Sequence, residues 1–348
     1  MWSNFFRKLR LKAGKLILDA HKGRRDFAID KIKKVLFVRY DGKIGDYIVS
    51  SFVYREIKKQ RPDIQIHVVC VDSNLDMFKD NPFIDQYFVL KNRSYSSFYK
   101  LGKQLSKEKY DLLIDPTHTL RNRDLLFIRL VNAAINFGFD KDNYHQFNKS
   151  IPKRESRITD AYAAMISEIG FTIQDRSYEL TVDENIKDKI NTFLSPFSHQ
   201  KIVALNLFGA SRSRNITTEN SIKIIDCIHR NLPDYQIVLL VYPKVVDFVK
   251  ELIAALPSVP LAAYFETSSI FYSIQIVVQS EIVVTPDTAI VHIADGLNKK
   301  LLTFYSGEEN NYVRWKPRNK ASIIRYNKNI NEVTIEQFEE GLKQIIAD

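Results

Sequence analysis

The sequence predicts an α/β protein of two similar halves, each a parallel sheet covered by helices. Short apolar runs such as Val35 to Val38 and Tyr110 to Asp115 (YDLLID) suit strands buried on both faces, and each leads through a loop into a helix-period segment. The same succession restarts at Lys201, after a polar stretch between Phe171 and Pro196 in which strand order is lost. A chain of 348 residues, at roughly 150 per domain, also implies two domains. The division is a basic amphipathic extension over 1–33, a first α/β domain over 34–180, a second over 181–330, and a C-terminal helix over 331–348.

Taken in order, Trp2, Phe5, Phe6, Leu9, Ala13, Leu16, Ile17 and Ala20 recur at helical spacing among Arg7, Lys8, Arg10, Lys12 and Lys15. This is the pattern of an interfacial helix, or of a helix packed on the protein body. Next comes KVLFVRYDGKIGDYIVSS, Lys34 to Ser51: a strand, a turn with Gly42 and Gly45, and one helix that continues to Pro62. Asp46 falls where the strand has ended and the helix begins, the edge of an open parallel sheet at which ligands bind. A plain loop with a capping aspartate is the competing reading. The dinucleotide fingerprint GxGxxG is absent. Strands follow at Ile64 to Val71 and before Val89, a helix at Leu101 to Lys109, and the strand YDLLID. After it, PTHTLRNRD places His118, Arg121 and Arg123 at a second strand end, where basic groups suit phosphate or sugar hydroxyls, or face solvent. Leu125 to Ala134 and Ser156 to Ile169 read as helices, with a short strand at Ile135 to Phe139. In the second half the strands are Lys201 to Leu207, Gln236 to Val241 and Glu281 to Val284, with helices at Glu219 to Asn231, Val245 to Ala255 and Ile270 to Val278. The last helix, Glu332 to Ala347, has one apolar face and a packing role. Two such halves leave a cleft between their carboxyl edges.

Charge is uneven. Residues 1–34 hold eleven Lys and Arg and three Asp, and eleven minus three leaves +8 of the chain's +10. A basic end on a nearly neutral body suits an anionic membrane surface better than a nucleic acid gripped along its length. Cys70 and Cys227 lie inside apolar runs of different halves and read as buried free thiols. The N-terminus has no continuous apolar stretch of a secretory signal, and no run approaches the ~20 residues that span a bilayer. The expected location is the cytoplasm, against the inner face of the inner membrane.

Two loops of the second half carry candidate chemistry. GASRSRN, Gly209 to Asn215, combines small residues that let backbone amides approach a phosphate with Ser211, Ser213, Arg212 and Arg214. In PDTAIVHIADGL, Pro286 to Leu297, a strand closes at the proline, Asp287 and Thr288 cap the next helix, and His292 follows one turn on. Amides, a hydroxyl and an imidazole around one helix start suit a diphosphate; a capped helix with a packed histidine is the alternative.

GKIGD, LLIDPTHTLRNRD, FGASRSR, TPDTAIVHIADGL and LLTFYSGEENNYVRWKP, in that order and spacing, resemble the ADP-heptose:lipopolysaccharide heptosyltransferases, glycosyltransferase family 9, from about Lys34 to Pro317. The resemblance implies a GT-B fold, two Rossmann-like domains facing each other across a cleft. It further implies a metal-independent, inverting transfer of heptose from ADP-heptose to the inner core of lipopolysaccharide or lipooligosaccharide. Asp46 then matches the general base. Gly209, Ser211, Arg212, Arg214, Asp287, Thr288, Ala289 and His292 match the donor site, and Gly45, Lys43, His118, Arg121 and Arg123 the acceptor side. No cofactor or metal is implied beyond the ADP-sugar itself, and no nucleic acid. Alternatives are a family member using another nucleotide sugar, hexose included, and a binding protein without chemistry. Three features depart from the pattern. Arg214 stands where a lysine is usual, Arg214-Asn215-Ile216-Thr217 replaces Lys-x-Trp-Pro, and Ala289 replaces a glycine. The basic extension before Val35 lies outside the family core.

Overall fold

The computed structural model describes residues 11–19, 29–117, 119–152, 157–180 and 182–347. The chain divides into two compact units, Met1–Glu179 and Leu180–Asp348.

In the first unit, residues 11–18 form helix α1; the part of the amphipathic pattern at 1–10 and at Ala20 lies outside the described residues. Six parallel strands follow: β1 (Lys34–Val38), β2 (Gln65–Cys70), β3 (Gln86–Val89), β4 (Leu112–Asp115), β5 (Ile135–Phe139) and β6 (Lys149–Ile151). They are ordered β3-β2-β1-β4-β5-β6, with Val35 opposite both Ile66 and Leu112. The helices are α2 (Ile44–Ile48), α3 (Phe52–Gln60), α4 (Leu75–Lys79), α5 (Tyr95–Leu105), α6 (Asn122–Val131) and α7 (Ile158–Ile169). The chain winds outward from β1 in one direction, returns to β4 and winds outward in the other. The carboxyl ends of β1 and β4 therefore flank a topological switch point, where loops diverge and leave a crevice.

The second unit repeats this plan. It contains α8 (Glu184–Leu194), β7 (Lys201–Leu205), α9 (Thr218–Asn231), β8 (Tyr235–Leu239), α10 (Val246–Ala255), β9 (Leu261–Ala263), α11 (Ile270–Gln279) and β10 (Ile282–Pro286). It continues with α12 (Ala289–Gly296), β11 (Lys300–Ser306), α13 (Glu309–Trp315), β12 (Ser322–Tyr326) and α14 (Ile335–Ala347). The order β12-β11-β10-β7-β8-β9 is again parallel throughout, and the switch point lies between β7 and β10.

Several elements differ from the expectation. The helix expected from Tyr47 to Pro62 is two helices, α2 and α3. Ser50 Oγ donates to the Asp46 carbonyl at 2.7 Å and Ser51 Oγ to the Ile48 carbonyl at 2.7 Å, and hydroxyls bonding back along a helix compete with its ladder. Helix α5 starts at Tyr95 rather than Leu101, because Ser94 caps it by accepting from Ser97 N at 3.2 Å. The polar junction contains α8. The stretch after β11 holds α13, and β6, β9 and β12 are edge strands, none of which the sequence reading placed. Two of them are three residues long, too short for an alternation to show.

Cys70 and Cys227 are buried free thiols whose pKa is raised by burial, that of Cys70 to about 12. Helix α14 belongs to the core of the second unit: Phe338, Leu342 and Ile345 are buried there, and the Phe338 ring stacks on Phe304 with centroids 6.2 Å apart. Phe338→Ala should cost about 3–5 kcal/mol of stability in urea unfolding. A loss below about 1 kcal/mol would mean that α14 adds little to this core.

Candidate active site

At the first switch point Asp46 is the third residue of α2, its side chain 19% exposed, with Lys43 Nζ 4.0 Å from Oδ2. The turn before it needs Gly42, whose φ is +74° and whose missing side chain leaves room for Ser73. Asp41 Oδ1 accepts from Lys43 N at 3.1 Å and shapes the same turn.

Behind the turn lies a residue that the sequence reading missed. Arg39, just past β1, is 1% exposed; its Nη1 donates to Ser50 Oγ at 2.6 Å, and that hydroxyl donates to the Asp46 carbonyl. Its Nε donates to Asp41 at 3.4 Å and its guanidinium faces the Tyr162 ring at 5.9 Å. Burial alone would lower the Arg39 pKa; Tyr162, Asp41, Tyr54 and Asp46 act the other way and hold it well above its ordinary value. A buried cation thus pins the start of the helix that carries Asp46. Its signal was present as an arginine at the carboxyl end of an apolar strand.

Across the switch point, Asp115 at the end of β4 is fully buried and accepts from Thr117 N at 2.8 Å and Thr117 Oγ1 at 2.6 Å. Lys141, also buried, donates to the Thr117 carbonyl and, at 3.0 Å, to that of Phe139. Burial lowers the Lys141 pKa against the pull of Asp115, Asp140 and Asp124. This buried pair of anchors fixes the loop that enters α6.

A cavity of about 200 Å³ opens there, lined by Lys43, Arg93, Arg121 and Arg123 with Asp41 and Asp124. Four cations against two carboxylates give the cavity a positive balance that suits anions. Arg123 is aimed by its donation to the Arg93 carbonyl at 2.7 Å and by the Phe98 ring at 5.5 Å, and Arg93 donates to the Tyr40 carbonyl at 2.7 Å. The structure thus gathers Lys43, Arg121 and Arg123 and adds Arg93, which follows β3 and escaped notice because that strand end was not weighed. Gly45 and Asp46 lie on α2, outside the lining of this cavity. His118 lies outside the described residues.

At the second switch point, Asn206 ties two loops together. Its Nδ2 donates to Thr285 Oγ1 at 2.9 Å, to the Phe208 carbonyl at 3.0 Å and to Thr288 Oγ1 at 3.4 Å, and its Oδ1 accepts from Phe208 N at 3.1 Å. Gly209 donates to Asn215 Oδ1 at 2.8 Å, and a Cβ there would meet the Arg214 carbonyl oxygen at 2.8 Å. Only glycine lets this loop close on itself. Ser211 and Arg212 stand exposed at its tip, with Ser211 Oγ 3.0 Å from Ser213 Oγ.

Two expectations change in detail here. Thr288 alone caps α12 by side chain, accepting from Ile290 N at 3.2 Å, while the Asp287 carboxylate turns to Arg214 and Asn311. Arg214 Nη1 sits 2.9 Å from Asp287 Oδ2 and 3.2 Å from its carbonyl, and Asn311 Nδ2 donates to Oδ2 at 2.9 Å. Asn311 lies on α13, the helix not foreseen. His292 is buried in α12, its ring centroid 5.6 Å from that of Trp315, and burial lowers its pKa against Asp287 and Asp295, so the imidazole is neutral near pH 7. The half-buried Thr288 and Ala289 open α12, whose first amides point out of the helix. Arg214, Arg212, two serine hydroxyls and that helix start lie together at one edge, groups of the kind that suit an anion.

The family model for glycosyltransferase family 9 (heptosyltransferase) matches residues 98–342. A putative lipopolysaccharide heptosyltransferase 4 of Escherichia coli (strain K12) is 23% identical over 304 residues, 84% of this chain and 81% of that protein. Among solved structures, a family 9 glycosyltransferase from Veillonella parvula DSM 2008 superposes with a TM-score of 0.77 at 15% identity, covering 93% of this chain and 99% of that one. An E. coli ADP-heptose lipopolysaccharide heptosyltransferase II does so at 0.71 and 17% identity, covering 90% and 98%. These structures share its α/β fold of two parallel-sheet units, the GT-B type. With the family model spanning well over half of its length, the chain belongs to glycosyltransferase family 9, the heptosyltransferase family.

Proposed function

We propose that the protein transfers heptose from ADP-heptose to the inner core of lipopolysaccharide or lipooligosaccharide, with inversion at the anomeric carbon. The observation that carries this reading is the pairing of chemistry with topology. A carboxylate beside a cationic cavity occupies one switch point, and an anion-receiving loop and helix start occupy the other. The E. coli relative whose structure superposes is an ADP-heptose lipopolysaccharide heptosyltransferase, which supports the donor and the acceptor class.

In this reading the Asp46 carboxylate removes the proton of the acceptor hydroxyl as its oxygen bonds to the anomeric carbon. The bond from that carbon to the diphosphate oxygen breaks on the opposite face, through a transition state with oxocarbenium character, and ADP departs. Its negative charge is met by Arg214, Arg212, Ser211, the amide of Gly209 and the α12 start at Thr288 and Ala289, without a metal or cofactor. Asp287 and Asn311 keep the Arg214 guanidinium in place, and buried His292 packs against Trp315, joining α12 to the end of α13. Lys43, Arg93, Arg121 and Arg123 receive phosphate or carboxylate groups of the acceptor. The enzyme works as a peripheral protein on an anionic membrane surface at the cytoplasmic side.

A thermal-shift screen should single out ADP over UDP, NAD and oligonucleotides, and lipooligosaccharide from cells lacking the protein should be lighter by one heptose. Loss of a hexose instead would change the donor. Asp46→Asn should lower turnover by at least about 100-fold with ADP binding retained; normal turnover would remove Asp46 from the mechanism. Arg214→Ala should weaken donor binding by roughly 1 to 3 kcal/mol, and unchanged affinity would move its role to Arg212.

A further inference from the structure

Helix α1 is fastened to the first unit by one face. Asp19 accepts from His145 N at 3.0 Å and Gln146 N at 2.9 Å, Gln146 Nε2 donates to the Leu18 carbonyl at 2.8 Å, and Arg129 Nη1 donates to that of Ile17 at 2.9 Å. Lys15 turns inward as well, donating to the Asn143 carbonyl and lying 4.6 Å above the Tyr144 ring. Gly14 lets the helix come against Asn122, the first residue of α6, where a Cβ would run into the side-chain amide.

The apolar stripe of the sequence is the opposite face. Leu16 and Ile17 are 87% and 71% exposed, more than any other large hydrophobic side chain among the described residues; Tyr95 follows at 54%. Ala13 and Lys12 are exposed beside them. In the sequence, Leu9, Phe6, Phe5 and Trp2 precede α1, with Arg10, Lys8 and Arg7 between them.

We propose that this outward face of α1 seats on an anionic lipid surface, Leu16 and Ile17 entering the acyl boundary and Lys12 reaching the headgroups. Among the described residues the body holds the other face of α1 and leaves Leu16 and Ile17 open. A second copy would set +8 against +8 over residues 1–34, whereas anionic headgroups complement that charge. Basic side chains flanking an apolar stripe let the stems lie along it while the heads stay wet. The inference gives a surface to the membrane contact of the proposed function and rests on that part of it alone.

The test is flotation of the full chain with vesicles of equal parts phosphatidylglycerol and phosphatidylcholine, free of donor and acceptor, so that its outcome is independent of the transfer chemistry. The wild type should float with these vesicles and not with pure phosphatidylcholine. Leu16→Ser with Ile17→Ser should lower the bound fraction by about tenfold or more at an unchanged melting temperature, and Lys12→Glu should lower it separately. No binding by the wild type, or equal binding by the variants, would overturn the proposal. So would a dimer in sedimentation equilibrium that the same substitutions dissolve, since a second copy would then be the occupant.

Discussion

Everything chemical in this protein depends on a constraint of parallel sheets. A strand that returns to the middle of a sheet must be reached by a crossover, and where the winding reverses the two neighbouring loops leave on opposite faces. Each unit has one such reversal, between β1 and β4 and between β7 and β10. The Asp46 carboxylate, the cationic cavity and the 209–215 loop all sit at these reversals, next to the ends of buried strands.

Charges at the two reversals are handled differently. Arg39 is buried at the first, and its partners are a serine hydroxyl, an aspartate and a tyrosine ring. Removing one partner of such a buried cation leaves it uncompensated, which is costly, so the turn carrying Asp46 is held to one geometry. At the second, Arg214 is a quarter exposed and paired with the more buried Asp287. An arginine can keep a carboxylate with one nitrogen and turn others to a phosphate, which a lysine cannot do with the same planarity.

Much of this was legible in the sequence because apolar runs and helix-period stretches survive without any tertiary information. The β1, β4, β7 and β10 ends were readable, and with them the placement of Asp46, Arg121, Arg123, Arg214 and Thr288 beside those ends. What escaped were residues whose role is set by distant partners. Arg39 looks like any polar residue after a strand until Ser50 is found over it, and Asn311 lies on a helix that its own Glu- and Asn-rich sequence does not announce. Asp287 reads as a cap from its place before a helix, yet a nearby guanidinium competes for it and wins. Edge strands of three residues are fixed by the neighbour they pair with rather than by their own pattern.

The amide of Asn206 has a thermodynamic consequence. Two of its hydrogen bonds shape the loop after β7 at Phe208, and two more reach Thr285 and Thr288 at the end of β10, some eighty positions away in the chain. The conformational freedom that these contacts remove is surrendered when the unit folds, so a ligand of the kind proposed for this edge would have less of it left to order. A longer or more polar loop at either place would retain that freedom, and ligand affinity would fall without the loss of a single ligand contact.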